Sequence, residues 1–317
     1  MLYPIIALLL GFIILVWSAD RFVAGAAGTA KNFGMSPMLI GLTVVSFGTS
    51  APEILVSIMA ATTGAGDLAV GNALGSNIAN IGLVLGITAL IAPLPVRSKV
   101  LKQEIPLLLA ITLLAGGVLY DLYLGRVDAI ILCLSLAGCL FLFTRFQRNS
   151  EGDEIHDEED ELPELPIGRA IFWLITGLVL LAASSRLLVW GATEVALTLG
   201  VSDLVIGLTI VAIGTSLPEL AASVVSALKG HTDIALGNVV GSNIFNIAAV
   251  MAVPGLLAPI DLVPVVFWRD YGATLGLTLL LTALALYQRP PKISRFEGGL
   301  LLVAYAGYLA LLYNMSV

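Results

Sequence analysis

The stretch GLTVVSFGTSAPEILVS at residues 41–57 returns at 207–223 as GLTIVAIGTSLPELAAS, 166 positions later. The likeness runs on downstream, with 21 of 40 positions identical between residues 41–80 and 207–246. The same shift lays Gly34 on Gly200 and Ser36 on Ser202. Two copies of so long a segment require a fold that places one local structure twice. Each copy also carries one acid, Glu53 or Glu219, inside a run that is otherwise apolar.

The runs are long enough to decide the solvent. Of 317 residues, 58% are hydrophobic and 12% charged, against about a quarter charged in a soluble domain. Mean hydropathy is +1.01. A bilayer-spanning helix needs about 20 mostly apolar residues. Ten candidates meet that length: 3–25, 38–62, 68–91, 104–120, 127–146, 169–192, 204–228, 234–257, 268–288 and 297–315. The breaks between them carry turn residues, as in NFGMSP, GAGD and APLPVRSK. The opening run has no basic segment before it and no persuasive small-residue cleavage site after VWSADRF, so it is read as the first membrane helix rather than a leader.

The predicted fold is an all-α polytopic membrane protein of ten transmembrane helices. Residues 1–146 form one five-helix repeat, 147–168 an acidic linker, and 169–317 a second five-helix repeat. Five is odd, so the second copy enters the bilayer from the opposite side, an inverted-topology repeat. Lys and Arg set the orientation. Loops after odd-numbered helices hold twelve, from Arg21 and Lys31 to Lys292 and Arg295, and loops after even-numbered helices hold Arg126, Arg186 and Arg269. Both termini are therefore expected outside and the linker in the cytoplasm.

The formal net charge of −7 comes from the linker, because Glu151–Glu164 holds nine acids and no Lys or Arg. Elsewhere acids and bases nearly balance, and no basic patch suits a nucleic acid. The linker lacks the spacing of a calcium-binding EF-hand loop and reads as a solvated connector. Cys133 and Cys139 share one apolar run and read as packing residues. Nothing in the sequence demands an oligomer, and a monomer already holds both copies.

A carboxylate at mid-membrane costs a few kcal/mol even on lenient scales. It persists where it faces protein, water or a cation, and two at equivalent places in inverted halves should meet at one locus. Thr49, Ser50 and Glu53 stand at i, i+1 and i+4, and Thr215, Ser216 and Glu219 repeat them. Pro52 and Pro218 lack an N–H and clash with the preceding turn, which directs backbone oxygens near Ser46 and Ala212 toward a cavity. Asn72, Ser76 and Asn80 make a polar stripe at four-residue steps, and Asn238, Ser242 and Asn246 repeat it. Carboxylates, hydroxyls, amides and carbonyls together form a ligand set for a hard cation such as Ca²⁺. With no thiolate or imidazole in the set, soft metals are disfavoured. Asp67 and Asp233, in equivalent turns, are read as helix N-caps.

At these residues the chain resembles the sodium/calcium exchanger membrane family. That family's two repeats read G-T-S-x-P-E followed by G-N-x-x-G-S-N-x-x-N, and this chain has GTSAPE with GNALGSNIAN and GTSLPE with GNVVGSNIFN. The resemblance implies antiport of Na⁺ against Ca²⁺ by alternating access, three Na⁺ per Ca²⁺, with no cofactor. It implies Glu53 and Glu219 as carboxylates shared by both ions, with Thr49, Ser50, Thr215, Ser216, Ser76, Asn80, Ser242 and Asn246 as further ligands and Ser46 and Ala212 offering carbonyls. Family members that require potassium tend to have Asp where Asn246 stands, and proton-coupled relatives tend to read G-N-A-x-E in place of G-T-S-x-P-E. The short linker looks prokaryotic, which places the protein in a prokaryotic cell membrane. Exchange of H⁺ for Ca²⁺ or another divalent cation is the alternative. Enzyme readings fare poorly. The GAGD at 64–67 and the YD at 120–121 stand in reverse order for an intramembrane aspartyl protease, and His156 and His231 belong to no H-E-x-x-H motif. A passive cation channel would share the same residues and differ in needing no counter-ion.

Overall fold

The computed structural model describes residues 2–148, 164–200, 212–287 and 289–316. Twelve helical segments order the chain: α1 (Leu2–Phe33), α2 (Pro37–Thr49), α3 (Ala51–Thr62), α4 (Gly66–Ile91), α5 (Val100–Leu119), α6 (Arg126–Phe146), α7 (Ile167–Thr198), α8 (Ala212–Thr215), α9 (Leu217–Leu228), α10 (Thr232–Leu257), α11 (Val266–Tyr287) and α12 (Arg295–Met315). Among the described residues, eight are long and apolar enough to cross a bilayer, and α2 with α3 makes a ninth crossing if the bent pair is one span. Residues 204–211 of the expected 204–228 helix lie outside the described residues, and α9 is its described apolar part.

Large apolar side chains cover the outer faces. Phe12 on α1, Phe141 on α6 and Val303 on α12 are 60%, 63% and 71% exposed, as suits a surface solvated by lipid. The interior belongs to α4 and α10, the most enclosed of the long helices. Helix ends are set locally. Ser36 caps α2, its Oγ accepting from Leu39 N at 3.2 Å with Pro37 following. Gly34, Gly64, Gly200 and Gly230 adopt φ between 60° and 84° just beyond α1, α3, α7 and α9, the left-handed stop that glycine makes without strain. These four form two pairs at the 166-residue shift.

α1 and α7, each 32 residues, pack along one another. A Cβ built on Gly11 would stand 2.9 Å from Leu188 Cγ, and one on Gly177 would stand 2.7 Å from Phe22 N. A Cβ on Gly25 would meet Leu174 N, and one on Gly191 would stand 3.2 Å from Leu8 N. Each contact is returned by its counterpart 166 positions away. Partner numbers fall in one helix as they rise in the other, so the two helices run antiparallel. Small residues let these backbones approach closely.

The spans are helical, but four two-residue strands amend the all-α expectation. β1 (Leu94–Pro95) pairs antiparallel with β4 (Lys292–Ile293), and β2 (Tyr123–Leu124) with β3 (Ile260–Asp261). The two ribbons sit at opposite ends of α5, and each ties a loop from before the linker to one from after it. Asp67 and Asp233 lie within the first turns of α4 and α10 rather than at the caps, which fall on Ala65 and His231. There they complement the helix dipole, and Asp233 Oδ2 also meets Arg97 Nε at 3.0 Å. Cys133 is exposed and Cys139 buried, both as free thiols.

Candidate cation site

The helix carrying the first copy of the repeated phrase breaks at Ser50, where φ −83° and ψ 0° depart from the helix and α2 meets α3 at 42°. Pro52 causes the break, because it has no N–H to continue the ladder. The second copy breaks at Ser216, with φ −89° and ψ 5° ahead of Pro218. Each break places its glutamate in the first turn of the new helix, Glu53 in α3 and Glu219 in α9. Free N–H groups and the positive end of the helix dipole stabilise an anion there. The preceding short helices end at the same points, and their C-terminal carbonyls present negative partial charge to a cation.

Glu53 and Glu219 are both wholly buried, as are Ser46, Thr49, Ser50, Asn80, Ser242 and Asn246, with Ser216 and Ser76 nearly so. Thr215 is half-buried. The two copies meet. Ser50 Oγ donates to Glu219 Oε1 at 3.4 Å. Thr49 Oγ1 donates to Asn238 Oδ1 at 3.1 Å and lies 3.4 Å from Ser242 Oγ. Asn72 Nδ2 donates to Glu53 O at 3.4 Å, and Asn238 Nδ2 to Glu219 O at 3.3 Å. Thus α2, α3, α4, α9 and α10 converge on one polar locus inside an apolar bundle.

Much of that polarity is unanswered by protein. Among the described residues, both oxygens of Glu53, Glu219 Oε2, Ser216 Oγ and the amide oxygens of Asn80 and Asn246 are buried with no hydrogen-bond partner. A buried polar atom left unpaired costs about 1–3 kcal/mol, more when charged. Six orphaned oxygens together form a pocket of acceptors suited to a cation or to water, and the amide nitrogens of Asn80 and Asn246 beside them are unpartnered as well. No group of three or more His, Cys, Asp or Glu side chains stands together among the described residues. The oxygens beyond the two carboxylates are neutral, a hard and flexible set.

Some details lay beyond the sequence. Ser46 O accepts from Ser50 N at 2.9 Å and from Thr49 Oγ1 at 3.3 Å, so it is already engaged within its own helix. In the second copy Ser216 N donates to Ile213 O at 3.1 Å, one position on from Ala212. Asn80 and Asn246 each open a π-helical turn, over Asn80–Leu85 and Asn246–Val250. Such turns widen a helix locally and are frequent at functional sites. Ser223 accepts from Asn238 Nδ2 at 2.9 Å. Its counterpart Ser57 is equally buried, and the signal for both was the serine closing each copy of the repeated phrase, one turn after the glutamate.

Comparison with known proteins agrees with this geometry. The family model described as "Sodium/calcium exchanger protein" matches residues 3–145 and 169–314. The chain is 48% identical over 318 residues to CaxA, an antiporter candidate of Alkalimonas amylolytica, covering 99% of this chain and 100% of that one. It is 41% identical to the inner membrane protein YrbG of Escherichia coli (strain K12), covering 100% of this chain and 98% of that one. Its fold matches a structure of the sodium-calcium exchanger NCX_Mj with a TM-score of 0.84 and 34% identity over 98% of each chain.

Proposed function

Because the chain belongs to the sodium/calcium exchanger family, we propose that it is an electrogenic antiporter exchanging Na⁺ for Ca²⁺ by alternating access. The observation that carries this reading is the burial of Glu53 and Glu219 at two matched helix breaks amid orphaned oxygens. Glu53 and Glu219 hold the ions, with Thr49, Ser50, Thr215, Ser216, Ser76, Asn80, Ser242 and Asn246 and the Ala212 carbonyl completing the shells, and the Ser46 carbonyl joining them once Thr49 Oγ1 turns from it to an ion. Ca²⁺ and Na⁺ are cargo, and the bilayer is the chain's solvent.

Three structural features support ten helices in two inverted halves. The α1–α7 contacts are reciprocal and antiparallel. The positive-φ glycines fall in pairs. The two ribbons answer each other across the halves, with β3 at the same shift from β1 and β4 near that shift from β2. Orientation draws support from contacts that gather the basic loops at one end. Lys229 Nζ meets Asp20 Oδ1 at 2.7 Å, Lys31 Nζ meets Glu164 Oε1 at 3.3 Å, and Arg97 meets Asp233. That end is the cytoplasmic one under the positive-inside rule, leaving both termini outside a prokaryotic cell membrane.

Two ionised carboxylates give the site a charge of about −2, which one Ca²⁺ neutralises and three Na⁺ overbalance to about +1. A charge crossing the full potential gains or loses ~2.3 kcal/mol per 100 mV. The test is radioactive Ca²⁺ uptake into vesicles of purified protein, driven by an outward Na⁺, K⁺ or H⁺ gradient with the potential clamped by valinomycin and K⁺. Uptake that requires Na⁺ and responds to potential is expected. Uptake driven by H⁺ alone would replace the Na⁺ reading, uptake without a counter-ion would indicate a channel, and indifference to potential would rule out electrogenic coupling.

A further inference from the structure

Residues related by the 166-position shift do not all make the same bonds, and the differences align. Ser50 donates to Glu219, whereas its counterpart Ser216 Oγ and both Glu53 oxygens have no partner among the described residues. Asn238 donates to Ser223, whereas Ser57, the counterpart of Ser223, has an unpartnered Oγ. One carboxylate oxygen of Glu219 is met and the other open, whereas both carboxylate oxygens of Glu53 are open among the described residues. The clearest break in symmetry lies where α4 crosses α10. Asn77 Nδ2 donates across the crossing to Asn243 O at 3.2 Å. A two-fold arrangement would return that bond from Asn243 to Asn77. Asn243 Nδ2 instead donates to Val239 O at 2.7 Å, one turn back in its own helix. Both side chains are no more than 1% exposed, and neither Oδ1 has a partner among the described residues.

We propose that Asn77 and Asn243 are positioning residues that trade one crossing hydrogen bond each time the exchanger turns its site from one face to the other. In the state described here Asn77 spans the crossing and Asn243 folds back. In the opposite state Asn243 Nδ2 donates to Asn77 O, and Asn77 Nδ2 folds back onto Ala73 O, the carbonyl four residues before it. Each state holds one crossing bond and one back-bond, so the count is conserved through the turn. Inverted halves lend themselves to this, because the mirror image of an asymmetric state is a second state of similar energy. Neither amide is among the proposed ion ligands. Each acts by biasing which arrangement of α4 and α10 carries Ser76, Asn80, Ser242 and Asn246.

This inference rests on the alternating-access reading, and the experiment separates the two. Asn77→Ala, Asn243→Ala and the double variant are placed in right-side-out and inside-out vesicles, and half-saturating Ca²⁺ is measured at each face. Apparent affinity scales with the fraction of protein competent at that face. Each single variant removes a crossing bond from one state and a back-bond from the other, and only the crossing bond ties the two helices together, so the ratio between faces should move in opposite directions for the two variants, each by about two- to threefold, the difference between the two bonds. The double variant should return toward the parent ratio. Shifts in the same direction, or an unmoved ratio, would overturn the exchange of bonds and leave a scaffold role. Asn77→Ser and Asn243→Ser repeat the test if the alanine variants do not fold, and failure of these to fold also overturns it. A parent protein without Na⁺-driven Ca²⁺ uptake would overturn the antiport reading instead.

Discussion

Ser50 Oγ reaches Glu219 Oε1 at 3.4 Å, joining the helix break of one half of the chain to the carboxylate of the other. The matching contact, from Ser216 to Glu53, is not made. Ser50→Ala should therefore weaken the Glu219 side in the resting protein, while Ser216→Ala removes a hydroxyl that presently donates to nothing among the described residues. Both should raise half-saturating Ca²⁺, by about five- to tenfold for Ser50→Ala, the scale of a hydrogen bond to a charged group. In cation-free protein only Ser50→Ala should lower the unfolding temperature. Equal loss of thermal stability in both variants would contradict the asymmetry.

Glu53→Gln and Glu219→Gln keep shape and remove charge. Each should cut Na⁺-driven Ca²⁺ uptake at least about a hundredfold, because a neutral amide replaces half the anionic charge facing a divalent cation at low dielectric. The folded protein should survive, since an uncompensated buried carboxylate is itself costly. Near-normal exchange by either variant would show that the ions are held elsewhere.

Gly41 and Gly237 mark a close approach of α2 to α10. A Cβ on Gly237 would lie 2.8 Å from Met38 O, and one on Gly41 would lie 2.8 Å from Ile234 O. Neither obstacle is a flexible side chain. Gly237→Val should destabilise the protein by about 1–3 kcal/mol through overpacking, visible as a lowered unfolding midpoint in detergent. An unchanged midpoint would mean that the helices part more easily than the structure implies.

Deleting residues 150–163 should leave exchange within about twofold of the parent. The segment holds eight acids among its fourteen residues, has no apolar face, and lies outside both copies of the repeat. Collapse of uptake in well-folded deletion protein would show that the linker does more than connect.

The site was legible in the sequence because a glutamate in an apolar run has few physical resolutions, and a repeat that supplies two narrows them further. Pro52 and Pro218 likewise announce their breaks in advance. Helix length was less legible. Hydropathy led to 3–25 and 169–192, yet α1 and α7 each run 32 residues, about 48 Å at 1.5 Å per residue. Apolar pattern measures bilayer thickness, while hydrogen bonding continues until Gly34 and Gly200 stop it. Arg21, counted among the loop bases, lies inside α1, its guanidinium 5.2 Å from the Trp173 ring and 5.8 Å from that of Trp17. The π-turns at Asn80 and Asn246 had no local signal, because they answer to packing against other helices. The bond crossing from Asn77 to Asn243 was equally hidden, since a repeat in sequence implies symmetry and says nothing of how symmetry is broken.

The two ribbons bear on how such a chain is put together. Each strand of each pair comes from the other side of the linker, one ribbon at either end of the bundle. A fragment ending at residue 146 would carry two strand edges with nothing to pair them and one glutamate without its opposite number. Residues 169–317 would carry the complementary lack. Co-expressed as separate polypeptides, the two should find each other in the bilayer, while each alone should be degraded. The halves are thus related as the subunits of an obligate dimer are, and the acidic segment between them serves as a covalent guarantee of one-to-one stoichiometry.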